Sequence, residues 1–191
     1  MPKAFIAGAD KEHEDILKWF IGTYNKHLTN KLYIADFGLE NSYPNCISYK
    51  PLMKAWYYKP RMMLETLEKQ ICWIDSDIEI LTDISDVFEL SQGYDIAVTE
   101  DWCNRHNHFA SGLVVCNNQD FLQEWKLECE KFLTYGDQEC LNKIAHKYKV
   151  LTLPREYQWL RLAETNNNIK TIHWTGKDGK AIIRKKIREY S

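Results

Sequence analysis

The sequence predicts an α/β fold in which a mixed, mostly parallel sheet is flanked by helices. Short apolar runs alternate with helix-periodic segments through the first 75 residues, the order of parallel strands joined by helices. The run at 71–74 is continuously apolar, as a strand covered on both faces is. The second half is more mixed. The length of 191 residues suits one compact domain over 1–191, with a basic tail at 177–191.

The first two elements are delimited by residues typical of strand and helix ends. Residues 3–7 form an apolar run closed by Gly8, which predicts a buried strand. Asp10 suits the N-cap of the helix that follows. Five side chains at helical spacing form the buried face of that helix: Ile16, Leu17, Phe20, Tyr24 and Leu28.

The later elements follow from the same patterns. Strands are predicted at 32–37, 46–49, 71–74, 94–99, 109–116, 150–153 and 169–173. Helices are predicted at 56–70, 121–133, 138–148 and 182–190. Pro60 falls near the start of the first of these helices, where its missing N–H costs little.

Charge is spread unevenly along the chain. Residues 74–101 hold nine acidic residues and no Lys or Arg, whereas residues 177–191 hold six basic and two acidic residues. An acidic centre beside a basic tail could hold a divalent cation and a polyanion together, or could be an ordinary solvated loop and helix. A net charge of +4 over the tail is too modest to indicate nucleic acid.

Cysteine spacing and hydropathy exclude several classes of protein. The six cysteines contain no Cys-x-x-Cys pair, which argues against a zinc or thioredoxin-like site. Free thiols and the absence of an Asn-x-Ser/Thr sequence favour a reducing compartment. Mean hydropathy is −0.50, and no apolar run approaches the ~20 residues of a membrane span or suits a signal peptide. We therefore expect a cytoplasmic protein without a membrane span.

Two carboxylates directly follow the strand at 71–74. Asp75 and Asp77 are placed where a parallel strand ends, and ligands bind in the crevice outside that edge. Two such carboxylates repel one another unless a cation neutralises them, and hard oxygen ligands favour Mg²⁺ or Mn²⁺. The alternative is a solvated turn with two acids, because Asp-x-Asp is common by chance.

Several segments together resemble one enzyme family. Residues 73–78 (Trp-Ile-Asp-Ser-Asp-Ile) resemble the DxD motif of GT-A glycosyltransferases. Five further segments match the glycogenin-like and bacterial galactosyltransferase-like group in order, namely 93–98, 109–117, 136–142, 153–154 and 172–176. The resemblance covers most of the chain, from Lys3 to about Lys180. It implies the GT-A fold and transfer of a sugar from a nucleoside diphosphate, with UDP the first choice, to a hydroxyl of a glycan or glycoconjugate.

The resemblance also implies roles for particular residues. Metal ligation, to Mn²⁺ or Mg²⁺, falls to Asp75, Asp77 and His173. Donor binding falls to Ala7, Gly8, Asp10, Lys59, Arg61, Asp75, Ser76, Lys177 and Lys180. Catalytic roles fall to Asp137, Gln138 and Asp101. An inverting enzyme would need a carboxylate base, for which Asp137 is the first candidate and Asp101 the second, whereas a retaining enzyme would not.

Two departures and two competing interpretations accompany the resemblance. Ala110 stands where the family has Asn, and Gly179 where it has Lys, with Lys177 and Lys180 as neighbouring substitutes. The chain could instead be a catalytically weak sugar- or nucleotide-binding remnant of the fold. A haloacid-dehalogenase-like phosphatase also has a DxD after a strand, but its motif continues differently. The Arg-His-Asn-His run at 105–108 suits an acceptor-side loop better than a second metal site.

Overall fold

The computed structural model describes residues 3–101, 109–131, 136–163 and 168–189. Its strands are β1 (Lys3–Ala9), β2 (Lys31–Asp36), β3 (Cys46–Ser48), β4 (Gln70–Ile74), β5 (Ile78–Ile80), β6 (Ile96–Glu100), β7 (Phe109–Cys116), β8 (Val150–Leu153), β9 (Trp159–Leu160) and β10 (Thr171–His173). Its α-helices are α1 (Glu14–His27), α2 (Lys59–Leu64), α3 (Val87–Leu90), α4 (Gln119–Lys131), α5 (Asp137–Ala145) and α6 (Gly176–Glu189). The run at 105–108 lies outside the described residues.

A seven-stranded sheet in the order β3-β2-β1-β4-β7-β6-β8 forms the centre of the molecule. The pairs β1–β2, β1–β4, β2–β3 and β6–β8 are parallel, and β7 runs antiparallel to both of its neighbours. A small second sheet has the order β5-β10-β9. The mixed, mostly parallel sheet predicted from the sequence is confirmed.

Helices cover both faces of the large sheet, because alternate side chains of each strand face opposite layers. On β1, Phe5 and Ala7 join the core beneath α1, while Ala4 and Ile6 join the core beneath α2, α4 and α5. This burial on both faces explains the continuous apolar run of β4. No helix among the described residues is long and apolar enough to cross a membrane.

Several element boundaries differ from those predicted. The helix expected over 56–70 is a 3₁₀ turn (Ala55–Tyr58) followed by the short α2. Beyond α2 the Thr66 hydroxyl donates to the Met63 carbonyl oxygen (2.7 Å), which ends the helical hydrogen bonding. Helix α6 begins six residues earlier than expected, at Gly176, whose φ of +78° is left-handed.

Candidate metal centre at the carboxyl edge of the sheet

The two carboxylates and the histidine come together because of strand pairing. Asp75 follows the last residue of β4, and Asp77 directly precedes β5. Strand β10 pairs antiparallel with β5 and places His173 opposite Ile78, the residue after Asp77. Two backbone bonds fix this corner: Asp75 N donates to Gly112 O (2.8 Å), and Trp174 N donates to Asp77 O (2.9 Å). Side chains about 100 residues apart in the sequence therefore meet at one edge.

These three side chains offer one ligand atom each, and the three atoms lie within 4.8 Å of one another. His173 Nε2 lies 3.2 Å from Asp77 Oδ1 and 3.9 Å from Asp75 Oδ2. Two carboxylate oxygens and one imidazole nitrogen are a donor set that suits a divalent cation such as Mn²⁺ or Mg²⁺.

The other oxygen of each carboxylate has its own donors. Asp75 Oδ1 accepts from the Trp73 indole Nε1 (2.7 Å) and lies 2.8 Å from Lys59 Nζ. Asp77 Oδ2 accepts from Lys180 Nζ (2.6 Å). Such outer contacts orient metal ligands and leave one oxygen of each aspartate facing His173.

Buried charges shift one another's protonation in this corner. Burial acts to raise the pKa of Asp77, but His173 and Lys180 outweigh it and hold that pKa well below its ordinary value of 3.8. Burial acts to lower the pKa of His173, but the Asp77 and Asp75 carboxylates raise it above 6.5. The carboxylates and the imidazole therefore each stabilise the charged form of the other, as paired opposite charges do.

Lys59 connects the centre to the N-terminus of α5. It is only 4 % exposed, and its Nζ lies 2.8 Å from Asp75 Oδ1 and 2.9 Å from Asp137 Oδ2. It also donates to the Ser111 carbonyl oxygen (3.2 Å). Burial acts to lower the pKa of Lys59, but Asp137 and Asp75 raise it above its ordinary value. Lys59 is therefore a charged bridge between two carboxylates.

The three residues expected to be catalytic lie around this bridge. Asp137 begins α5 and is buried, and burial raises its pKa above 3.8 although Lys59 opposes the shift. Gln138 accepts from Ser111 N (3.3 Å) and donates to Asp101 Oδ2 (2.8 Å). The structure thus joins Asp137 through Lys59 to Asp75, one of the three candidate metal ligands, and joins Gln138 to Asp101.

The residues expected to bind the donor at the start of the chain are arranged differently from the prediction. Ala7 and Gly8 lie within β1 rather than after it, because the strand continues to Ala9. The Ala7 side chain is fully buried, and a Cβ on Gly8 would lie 2.8 Å from that of Ala35. Asp10 caps the 3₁₀ turn after β1, where it accepts from His13 N (3.1 Å) and pairs with His13 Nδ1 (2.8 Å).

The other expected donor-binding residues divide between the centre and its surroundings. Ser76 forms the turn between the two aspartates. Lys180 contacts Asp77, whereas Lys177 is exposed on the first turn of α6. Arg61 points to α4 and Tyr49, with Nη1 3.6 Å from Glu130 Oε1 and the guanidinium 4.6 Å from the Tyr49 ring. Its donor-binding role stays a prediction.

Sequence reasoning missed two contributors to the centre. The sequence predicts that Trp73 lies in the core, and it does, but the Trp73 indole also donates a hydrogen bond to Asp75. Spacing of two residues, which puts both on one face of an extended segment, is the signal for this contact. Gln158 is buried against His173, with Gln158 Nε2 3.2 Å from His173 Nδ1. In the sequence, the only indication of this contact is that Gln158 is a single amide residue between two aromatic residues, Tyr157 and Trp159.

The packing around Gly179 explains why no lysine stands at this position, where the family that the sequence resembles has one. A Cβ at this position would collide with the carbonyl oxygen of Trp174, so no side chain fits there without a shift of the backbone. Lys180, one residue later on α6, instead reaches Asp77.

No family model and no curated protein matches this sequence. Among solved structures, the glycosyltransferase GlyE of Streptococcus pneumoniae TIGR4 matches with a TM-score of 0.71 at 17 % identity, over 92 % of this chain and 56 % of GlyE. The galactosyltransferase LgtC, solved with donor and acceptor sugar analogues, matches with a TM-score of 0.68 at 11 % identity, over 97 % of this chain and 94 % of LgtC. The bifunctional glycosyltransferase WbbM matches with a TM-score of 0.65 at 14 % identity.

The chain spans just over half the length of GlyE. Identities this low establish the fold rather than the activity. The chain has the GT-A glycosyltransferase fold that its sequence predicts.

Proposed function

We propose that this chain is a metal-dependent glycosyltransferase of hexosyltransferase type. It transfers a sugar from a nucleoside diphosphate, with UDP the first choice, to a hydroxyl of a glycan or glycoconjugate. We place it in the cytoplasm, because the five cysteines of the described residues are free thiols. The observation that carries the proposal is the meeting of Asp75, Asp77 and His173 at the edge where α/β folds bind their ligands.

The ligand set fits Mn²⁺ or Mg²⁺, although it does not distinguish between them. When bound, such a metal would act as a Lewis acid that makes the nucleoside diphosphate a better leaving group. The cation would be held by Asp75, Asp77 and His173, whose atoms Asp75 Oδ2, Asp77 Oδ1 and His173 Nε2 face one another. Lys59 and Trp73 orient Asp75, and Lys180 orients Asp77.

Lys180 has a second role in this proposal. Its ammonium group is half-buried and bonded to Asp77 Oδ2, beside the expected diphosphate position. A cation there stabilises negative charge that develops on the departing nucleoside diphosphate. The exposed Lys177, one turn earlier on the same helix, supports the same charge from further out.

The acceptor side belongs to Asp137, Gln138 and Asp101. Gln138 is held by Ser111 N and Asp101, so its amide has a fixed orientation beside the metal centre. The raised pKa of Asp137 brings that carboxylate closer to the range of a useful base. The donor-binding roles expected for Ala7, Gly8, Asp10, Ser76 and Arg61 stay predictions.

The competing functions have less support. The fold is that of glycosyltransferases, which disfavours a haloacid-dehalogenase-like phosphatase. A ligand set with an orienting donor on each carboxylate is more than a binding remnant requires.

The test is a donor screen in the presence of Mn²⁺ or EDTA. UDP at 100 times its Kd should stabilise the protein by about 2.7 kcal/mol, a shift of roughly 5 to 10 °C for a chain of this length. UDP-sugars should be hydrolysed slowly when Mn²⁺ is present and not in EDTA. Equal stabilisation by UDP in Mn²⁺ and in EDTA, with no hydrolysis of any donor, would refute the proposal.

A further inference from the structure

Gln158 is the one buried amide that contacts His173 among the described residues. It is 2 % exposed and lies between β8 and β9. Its Oε1 accepts from Leu113 N (2.9 Å) on β7 and from Thr99 Oγ1 (3.2 Å) on β6. Its Nε2 lies 3.2 Å from His173 Nδ1 on β10. One side chain therefore ties the two sheets together at the metal centre.

The orientation of this amide is fixed by its neighbours. A backbone N–H can only donate, so Leu113 N requires the amide oxygen on its side. Turning the amide over would set its NH₂ group against the Leu113 N–H and leave that buried donor without an acceptor. The NH₂ group of Gln158 consequently faces His173.

This orientation determines what His173 Nδ1 can do. An amide NH₂ group only donates, so Nδ1 has to accept and cannot carry a proton. A neutral imidazole then carries its proton on Nε2, which lies 3.2 Å from Asp77 Oδ1.

Close packing leaves the pair little freedom to rearrange. A Cβ added to Gly112 would lie 2.8 Å from Gln158 Nε2 and 2.9 Å from His173 Cε1. The amide and the ring therefore pack directly on the backbone of β7, where only glycine leaves them room.

We propose that Gln158 is a positioning residue that holds His173 as the Nε2–H tautomer, in which the ring donates to Asp77 instead of presenting a free lone pair. A metal-ligating nitrogen must be unprotonated. Metal ligation by Nε2 therefore requires its proton to go to solvent and Nδ1 to take one up, which sets Nδ1–H against the amide NH₂. Gln158 thus lowers the affinity of the centre for a metal.

A carboxylate at this position would remove the conflict. Its two oxygens can accept from Leu113 N, Thr99 Oγ1 and a protonated Nδ1 together. Metal-ligating histidines commonly donate their second nitrogen to a carboxylate in this way. Gln158→Glu should therefore tighten metal binding. The tautomer follows from the contacts alone, whereas the effect on metal affinity rests on the proposed function.

The decisive measurement is the imidazole ¹⁵N spectrum of the metal-free protein at pH 8.5. The His173 signals are assigned by their loss in His173→Gln. In the wild type we expect Nδ1 to be unprotonated and Nε2 to carry the proton, and in Gln158→Glu we expect Nδ1 to be protonated. A proton on Nδ1 of the wild type, or no change in the variant, overturns the inference. The wild-type spectrum decides the question even if Gln158→Glu does not fold.

Titration with Mn²⁺ provides the second readout. Gln158→Glu should bind Mn²⁺ roughly tenfold more tightly than the wild type. Gln119→Glu is the matched control, because it adds the same charge on an exposed residue near Lys3 and Gln70, at the opposite edge of the sheet. Equal tightening in both variants overturns the specific role of Gln158. If the tautomers are as expected but neither the wild type nor any variant binds Mn²⁺, the role of Gln158 is supported and the metal-dependent function is refuted.

Discussion

Glu14 and Asp77 are both buried acidic residues, yet their surroundings differ in kind. Glu14 accepts from Glu40 N (2.9 Å), and Asn41 and Tyr43 supply three further bonds to its carboxylate. These hydrogen-bond donors are neutral and come from one loop, and the exposed Lys18 is a more distant cationic neighbour, with its Nζ 3.9 Å from Glu14 Oε1. Asp77 instead faces His173 and Lys180, two cationic or protonatable groups from the far end of the chain.

This difference separates Glu14, a carboxylate with a structural role, from Asp77, a carboxylate of the candidate metal centre. Both oxygens of Glu14 are occupied, so Glu14 fastens the loop after β2 to α1. Asp77 keeps Oδ1 directed at His173 and, beyond it, at a second carboxylate, Asp75. Close like charges are stable in a protein only with compensating cations. The cationic groups that compensate Asp77 are groups that the proposed metal and diphosphate would also contact.

Replacement of the two carboxylates by amides should separate these roles most sharply. Asp77→Asn removes a proposed metal ligand, and the loss of several kcal/mol of charge stabilisation corresponds to at least a roughly hundredfold fall in Mn²⁺-dependent donor hydrolysis. Glu14→Gln should retain that hydrolysis, because it changes only the loop attachment. Rates with and without Mn²⁺, with circular dichroism to check folding, measure both. Comparable rates for the wild type and Asp77→Asn would contradict the assignment.

For the metal centre, most of the residues in this comparison could be predicted from the sequence. Asp75 and Asp77 are revealed by their position after a continuous apolar strand, which local patterning detects. His173 was found only through its resemblance to a family motif, because β5, the strand that pairs with β10, has three residues and gives no usable pattern.

The orienting contacts around the metal centre were not predictable in the same way. Lys59 appeared as a donor-binding residue, but its bridge between Asp75 and Asp137 depends on how α2 packs against β4 and α5 against β7. Gln158 joins three strands that are distant in sequence. Glu14 gave no signal at all, since its partners lie in an irregular loop. Side-chain networks of this kind are set by tertiary packing rather than by periodicity.

The contact between Lys180 and Asp77 predicts a smaller effect, on the affinity for the donor. Lys180→Met removes the ammonium group bonded to Asp77. A charged hydrogen bond contributes about 1.5 kcal/mol, so the affinity for UDP with Mn²⁺ should fall roughly tenfold. Lys177→Met should cause a lesser fall, because Lys177 is exposed. Lys185→Met, an exposed position on the same helix paired with Glu189 (3.7 Å), is the control. Calorimetric titration would show whether Lys177 is instead the dominant contact.

The hydrogen bonds to Glu14 predict the smallest effect, a contribution to the free energy of unfolding that depends on pH. Hydrogen bonds from Glu40 N, and then from Asn41 and Tyr43, lower the pKa of Glu14 from 4.5 to about 2. A pKa lower in the folded than in the unfolded state contributes stability that is complete above pH 4.5 and is lost as pH falls towards 2. Urea unfolding of the wild type and Glu14→Gln should therefore give free energies of unfolding that differ most near pH 6 and converge below pH 3. Acid-sensitive groups at the metal centre affect both proteins equally, so the difference isolates Glu14. A difference that stays constant across this range would mean that the Glu14 contacts do not depend on its charge, and the contrast with Asp77 would lose its electrostatic basis.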